Sequence, residues 1–192
     1  MITRTVTNLA ALHQRALEGF AAQVDALEPD HWTLPTPCAD WNVRALVNHV
    51  AIEDLWTPPL LAGRTIADVG DAFDGDRIGA VPPQAVHDAA AGAIAAAAET
   101  GALERVVHLS FGDVPATEYV WQVTADHLIH GWDLARAVGA DERLDPELVD
   151  ACADWFADNE DAYRAAGAIG PRAAHQPRGP QEQLLVAFGR QP

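Results

Sequence analysis

Apolar side chains recur at helical spacing through most of this chain, and in one stretch they do so on both flanks of a polar pair. In Trp121 to Gly139, WQVTADHLIHGWDLARAVG, Asp126 and His130 are four apart, one turn above the other on a helix. Trp121, Ala125, Leu128, Ile129, Trp132 and Ala135 cover one flank of the pair, and Val123 and Leu134 close the other. A helix apolar on both flanks is buried. A buried carboxylate costs several kcal/mol unless a positive group meets it.

The same periodicity orders the rest of the chain. Leu9, Leu12, Ala16, Leu17, Phe20, Val24 and Leu27 predict an amphipathic helix over about 7–27, with His13 on its inner face as a core or pocket residue. Prolines break the chain over 28–39. Asp40 then reads as an N-cap for a helix from Trp41 to about Leu55, ending before Pro58-Pro59. On it, His49 and Glu53 form a second polar pair four apart on an otherwise apolar face, which also holds Asn42 and Trp56. Residues 60–83, rich in Gly, Asp and Pro, predict a long surface connection of the kind that serves as a lid. An Ala-rich helix is expected over 84–100.

Residues 101–120 are β-prone, with Gly112-Asp113 as the turn of a short hairpin or an extended crossover. Beyond Gly139, a helix stop, Asp145 and Pro146 start another helix running to about Tyr163. A Gly- and Pro-rich loop covers 167–180, and 181–189 closes with a short helix. No repeat, charge block or linker divides the chain, so 1–192 reads as one all-α domain, a helix bundle with a short extended insertion before its fourth long helix and additional C-terminal helices.

Charge narrows the partners. A formal charge of -16 and the basic residues' scarcity exclude nucleic acid and anionic membrane as ligands, since both need a basic face. The sequence contains no Lys, which removes Schiff-base lysine chemistry. No stretch approaches the ~20 apolar residues of a membrane span and no signal-peptide pattern opens the chain, so a cytoplasmic protein is expected. Cys38 and Cys152 form no CxxC and are expected as small residues of turn or core.

Bundles build metal sites from inward side chains on facing helices. His49 on one helix with Asp126 and His130 on another offers two nitrogens and one oxygen, a set that suits zinc, nickel or a similar divalent ion and leaves a position for water or substrate. The alternative from spacing alone is a buried His and Asp hydrogen-bonded to each other. Asp133, within about 20° of Asp126 on the wheel, is placed to orient His130 or to pair with Arg44 or Arg136. Glu53 is a further ligand or a general base, or else a partly solvated acid at the bundle mouth. His127 lies about 100° round from Asp126 and belongs to another face. Trp56, Trp121 and Trp132 read as packing residues.

Three segments carry a resemblance: TPCADWNVRALVNHV from Thr36 to Val50, DHLIHGWDLARAVG from Asp126 to Gly139, and the ending QLLVAFGRQP. Together they resemble an actinobacterial group of the DinB-like superfamily, similar to the metal-binding domain of mycothiol-dependent maleylpyruvate isomerase. The resemblance spans nearly the whole chain and implies a DinB-type four-helix bundle holding zinc or nickel through His49, position 126 and His130. Many members have His or Glu where this chain has Asp126. The isomerase they resemble also carries a carboxy-terminal domain that contributes to its active site, so isomerase activity itself is not implied.

The resemblance and the open coordination position together imply a metal-dependent enzyme, cytoplasmic, monomeric or homodimeric. It uses a low-molecular-weight, mycothiol-like thiol as nucleophile in transfer or isomerisation of an electrophilic small molecule. The alternatives are a metal-dependent hydrolase with Glu53 as base, and a non-catalytic, stress-related metal-binding protein. A two-metal centre of Glu53, His49, Asp126 and His130 lacks the Glu-x-x-His pairs of di-iron bundles.

Overall fold

A computed structural model describes residues 2–192, with side chains from Leu9 onward. Helices dominate it: α1 (Ile2–Asp25), α2 (Val43–Leu61), a one-turn α3 (Ile66–Val69), α4 (Pro82–Ala98), α5 (Ala116–Val138), α6 (Pro146–Ala165) and α7 (Pro180–Ala187). Between α4 and α5 lies a hairpin of β1 (Val106–Leu109) and β2 (Gly112–Pro115). The chain divides into two compact units, residues 1–139 and 140–192.

In the first unit α1 lies against α4 and α5, and α2 against the same two. The ring order is therefore α1–α4–α2–α5, a four-helix bundle with α1 and α2 across the diagonal. Its core is the apolar stripe of each helix: Phe20 and Val24 of α1, Val43, Leu46, Val47 and Val50 of α2, Val86 of α4 and Leu134 of α5. Each such side chain, once buried, contributes about 1.5–3 kcal/mol against the entropy of ordering the chain.

Several boundaries differ from the sequence expectation, each for a local reason. The N-cap of α2 is Asn42 and not Asp40: its side chain accepts the Ala45 N–H at 2.9 Å, while residues 38–41 form a turn closed by Trp41 N–H to Cys38 O. The helix also does not stop before Pro58 but runs through both prolines to Leu61. The prolines fall in its last turn, so few backbone bonds are forfeited, and the burial of Leu60 and Leu61 holds the turn in place. The hairpin is formed, yet its turn is Ser110-Phe111; Gly112 opens β2 at φ 135°, a conformation that favours glycine.

The connection after α2 is held down rather than loose. Arg44 pairs with Asp76 at 2.6 Å and donates to Gly79 O, Asn48 bonds Gly75 O and Arg77 N–H, and Ile78 is buried. Phe73 stands edge-on to Trp56, ring centroids 5.5 Å apart.

The helix α5 ends at Gly139, whose left-handed backbone (φ 69°) returns its N–H to Ala135 and Arg136 carbonyls. In the second unit Asp145 caps α6 by accepting from Glu147 and Leu148 N–H, Phe156 lies against Phe188 at 4.3 Å, and Glu160 receives both Arg164 and Arg172. No helix among the described residues is long and apolar enough to cross a membrane.

Candidate metal centre

His49 projects from α2 and Asp126 with His130 from α5, neighbouring helices of the ring. The Asp126 carboxylate reaches both imidazoles: Oδ2 is 3.4 Å from His49 Nε2 and Oδ1 is 3.3 Å from His130 Nε2. All three donor atoms lie within 4.8 Å of one another. Nitrogen and oxygen ligands about 2.1 Å from a tetrahedral ion stand about 3.4 Å apart, which is the spacing of each imidazole nitrogen from its nearer Asp126 oxygen. Furthermore, Asp126 Oδ2 is buried and has no hydrogen-bond partner, so the carboxylate is not satisfied by a simple Asp–His pairing. The residues therefore fit a divalent ion. His49 and Asp126 remain about a third exposed whereas His130 is 8% exposed, which leaves the group open on one side.

The orientation of His130 is set from behind. Its Nδ1–H donates to Asp133 Oδ2 at 3.0 Å, and Asp133 is fully buried. That bond turns Nε2 toward His49 and Asp126. Arg44, considered as a partner for Asp133, pairs with Asp76 instead. Burial disfavours charge on both Asp126 and His130, but their mutual attraction overrides it. Asp126, beside two imidazoles, is held well below the usual carboxylate range, and His130, between Asp126 and Asp133, well above that of histidine.

The loop before α2 completes this wall. Thr36 ties residues 36–41 together, accepting from Cys38 N–H and donating to Trp41 O. Cys38 Sγ is thereby placed 3.3 Å from Asp133 Oδ2 and 3.9 Å from His130 Nδ1, and the Trp41 ring stands 4.6 Å from His49 and 5.7 Å from His130. Cys38, expected only as a small turn or core residue, thus borders the centre. Spacing offered no signal for it, because it reaches the helix from a loop.

Glu53 is one turn beyond His49. Burial, and then the nearby Asp126 charge, push its carboxyl up. It is not among the converging ligand atoms. Instead it lines a cleft of about 300 Å³ that also includes Trp56, Leu60, Tyr119 and Gln122. Trp56 is therefore a cleft wall as well as a packing residue, while Trp132 is buried.

His127 does lie on another face, where sequence spacing left its partner unread. Its Nε2 meets Asp54 at 3.1 Å and its Nδ1–H donates to Val123 O at 2.8 Å, both side chains being buried. Asp54 raises the His127 pKa against the opposing effect of burial. Beside it, His13 donates from Nδ1 to the Thr124 hydroxyl at 3.2 Å.

The family model for the mycothiol maleylpyruvate isomerase N-terminal domain matches residues 13–135. Two uncharacterized proteins of Mycobacterium tuberculosis, one from each of two strains, are each 32% identical to the chain over 193 residues, covering 93% of it and 95% of their own length. Among solved structures, the crystal structure of the mycothiol-dependent maleylpyruvate isomerase superposes with a TM-score of 0.59 at 17% identity, over 76% of this chain and 67% of that one. A mutant of that enzyme gives the same TM-score at 16% identity. At these identities the likeness is one of fold.

Proposed function

From the premise that the chain belongs to the mycothiol maleylpyruvate isomerase N-terminal domain family, we propose that it is a divalent-metal-dependent enzyme that sets a low-molecular-weight thiol of the mycothiol kind against an electrophilic small molecule. The observation that carries the reading is the open set of two imidazoles and one carboxylate, with its unsatisfied Asp126 oxygen, next to a cleft of small-molecule size. A zinc or nickel ion suits this donor set. When bound, such an ion supplies the positive charge that lowers a thiol's pKa and makes the sulfur a nucleophile at neutral pH.

The chain's own residues do the rest. His49, Asp126 and His130 hold the ion, and Asp133 fixes His130 in the tautomer that leaves Nε2 free to ligate. Glu53, half-buried near Asp126 and lining the cleft, takes the thiol proton as the sulfur attacks; in isomerisation it gives the proton back to the thiol as the C–S bond breaks, and in transfer the proton departs with the displaced group. The aromatic walls of the cleft exclude water around the electrophile.

The test is consumption of monochlorobimane by purified protein, with mycothiol or glutathione, zinc-loaded and after chelation. The expected result is thiol-dependent conjugation that needs zinc and disappears in His49→Ala. Zinc-loaded protein without thiol-dependent activity overturns the reading, and hydrolysis without thiol would assign the centre to an activated water instead.

A further inference from the structure

The cleft beside the centre restricts the charge of what it admits. One wall is the turn of the α2 helix after His49, with Glu53 and Trp56; a second is the start of α5, with Tyr119 and Gln122 one or two turns before Asp126; the third is the hairpin tip, Ser110 and Phe111. The hairpin is stiffened by a His108–Asp113 pair across the strands at 2.7 Å, and Thr65 bridges to His108, so the tip is held against the helices rather than hanging free. The ring of Phe111 is nonetheless 70% exposed, a large apolar surface at the rim.

Among the described lining residues there is no Arg and no His. The basic side chains that approach from the flanks are committed elsewhere. Arg105, just before β1, is bound to Glu99 at 2.7 Å and to Leu61 O, and Arg64 donates to Asp68 O. The polar side-chain groups that remain are the Glu53 carboxyl, the Ser110 hydroxyl and the Gln122 amide, with the Tyr119 hydroxyl already against Thr57 at 3.3 Å. His49, Asp126 and His130 do not line the cleft, so a carboxylate lodged here would give up its water and meet a carboxyl group and three aromatic rings rather than a bound ion, in a chain of net charge -16.

We infer that the electrophile taken by this cleft is an uncharged, flat, apolar molecule, stacked between Trp56, Tyr119 and Phe111 with its polar edge toward Gln122, and that dicarboxylates such as maleylpyruvate are rejected. The inference rests on the proposed function for the word electrophile, but the cleft can be tested without any turnover.

The experiment is calorimetric titration of the full chain, zinc-loaded and zinc-free, with an uncharged unreactive dimethylbimane and with maleate. Wild type binds the bimane with one site per chain and does not bind maleate. Phe111→Ser, at an exposed rim position that leaves the fold intact, weakens the bimane about tenfold, the loss of one aromatic contact. Trp56→Ala weakens it further, and Gln122→Arg introduces maleate binding. Maleate bound by wild type as tightly as the bimane overturns the inference, as does bimane binding that is absent or indifferent to Phe111→Ser. Bimane bound normally by a protein inactive in the thiol assay sinks the reaction and leaves the cleft; the converse sinks the cleft alone.

Discussion

Asp133 Oδ2 accepts the Nδ1–H of His130 at 3.0 Å and the Cys38 thiol at 3.3 Å, so one buried carboxylate fixes an imidazole and ties the preceding loop to α5. An imidazole held this way presents Nε2 with no rotational search and as a better base. Removing the carboxylate frees the ring without touching a ligand. Asp133→Ala is therefore expected to weaken zinc about 10–100-fold in chelator competition. Asp133→Asn, whose amide oxygen still accepts from Nδ1, falls between that variant and wild type. Equal affinities for all three proteins would show that the ring is held by packing alone.

Asp126 makes the sharper prediction. Its two oxygens already lie at 3.3 and 3.4 Å from the two imidazoles, which supports direct ligation by the short side chain over a water-bridged contact. Asp126→Asn keeps the shape and loses the charge. Zinc affinity should fall by more than the ~10–100-fold of an outer-sphere loss, while Asp126→Glu retains the charge and loses less. The measurement is zinc content after dialysis beside titration with a fluorescent chelator. Zinc retained equally by Asp126→Asn and wild type places position 126 outside the centre.

How far the sequence could be read depends on where each interaction lies along the chain. Asp126, His130 and Asp133 share one helix, so a 3.6-residue period is enough to align them, and His49 with Glu53 is found in the same way. The bundle itself comes from four amphipathic stripes. Cys38 and Trp41 act from an irregular loop whose shape is decided by Thr36 hydrogen bonds, which no period encodes. Pro58 and Pro59 mislead as helix stops because the tertiary burial of Leu60 and Leu61 outweighs two lost backbone bonds. The Asp54–His127 pair joins residues 73 apart, and a long-range partnership of that kind has no local signature.

That pair sets a stability prediction. Asp54 and His127 are both buried, and against the effect of burial the carboxylate raises the pKa of the imidazole. Removing one partner strands the other, at a cost of about 3–5 kcal/mol, whereas replacing both by apolar groups relieves the desolvation of each. Asp54→Ala should lower Tm by roughly 10 °C, on a scale of about 2–4 °C per kcal/mol for a chain of this size. The double replacement Asp54→Leu with His127→Leu should melt closer to wild type than Asp54→Ala does. Additive losses in this cycle, followed by calorimetry, would mean that the two side chains do not depend on each other.

His13 decides part of the acid limb. Its ring is fully buried among Leu9, Leu17 and Phe20, Thr124 accepts from Nδ1, and Nε2 has no partner. Burial, aided by the charge of His127, depresses its pKa to about 3. In the unfolded chain the same ring titrates near ~6.5. Between those values the unfolded state binds the extra proton, so stability falls as pH is lowered from about 6.5, by up to ~1.4 kcal/mol per pH unit from this group, and above about 6.5 the group contributes no slope. His13→Leu, an apolar side chain in an apolar setting, removes that proton. Urea unfolding followed from pH 8 to pH 4 should then give similar stabilities for the two proteins at the alkaline end and a shallower acid decline for the variant. Parallel curves would mean that the native state admits the proton, through water or through movement of Thr124, and that the unpartnered Nε2 is accessible in solution.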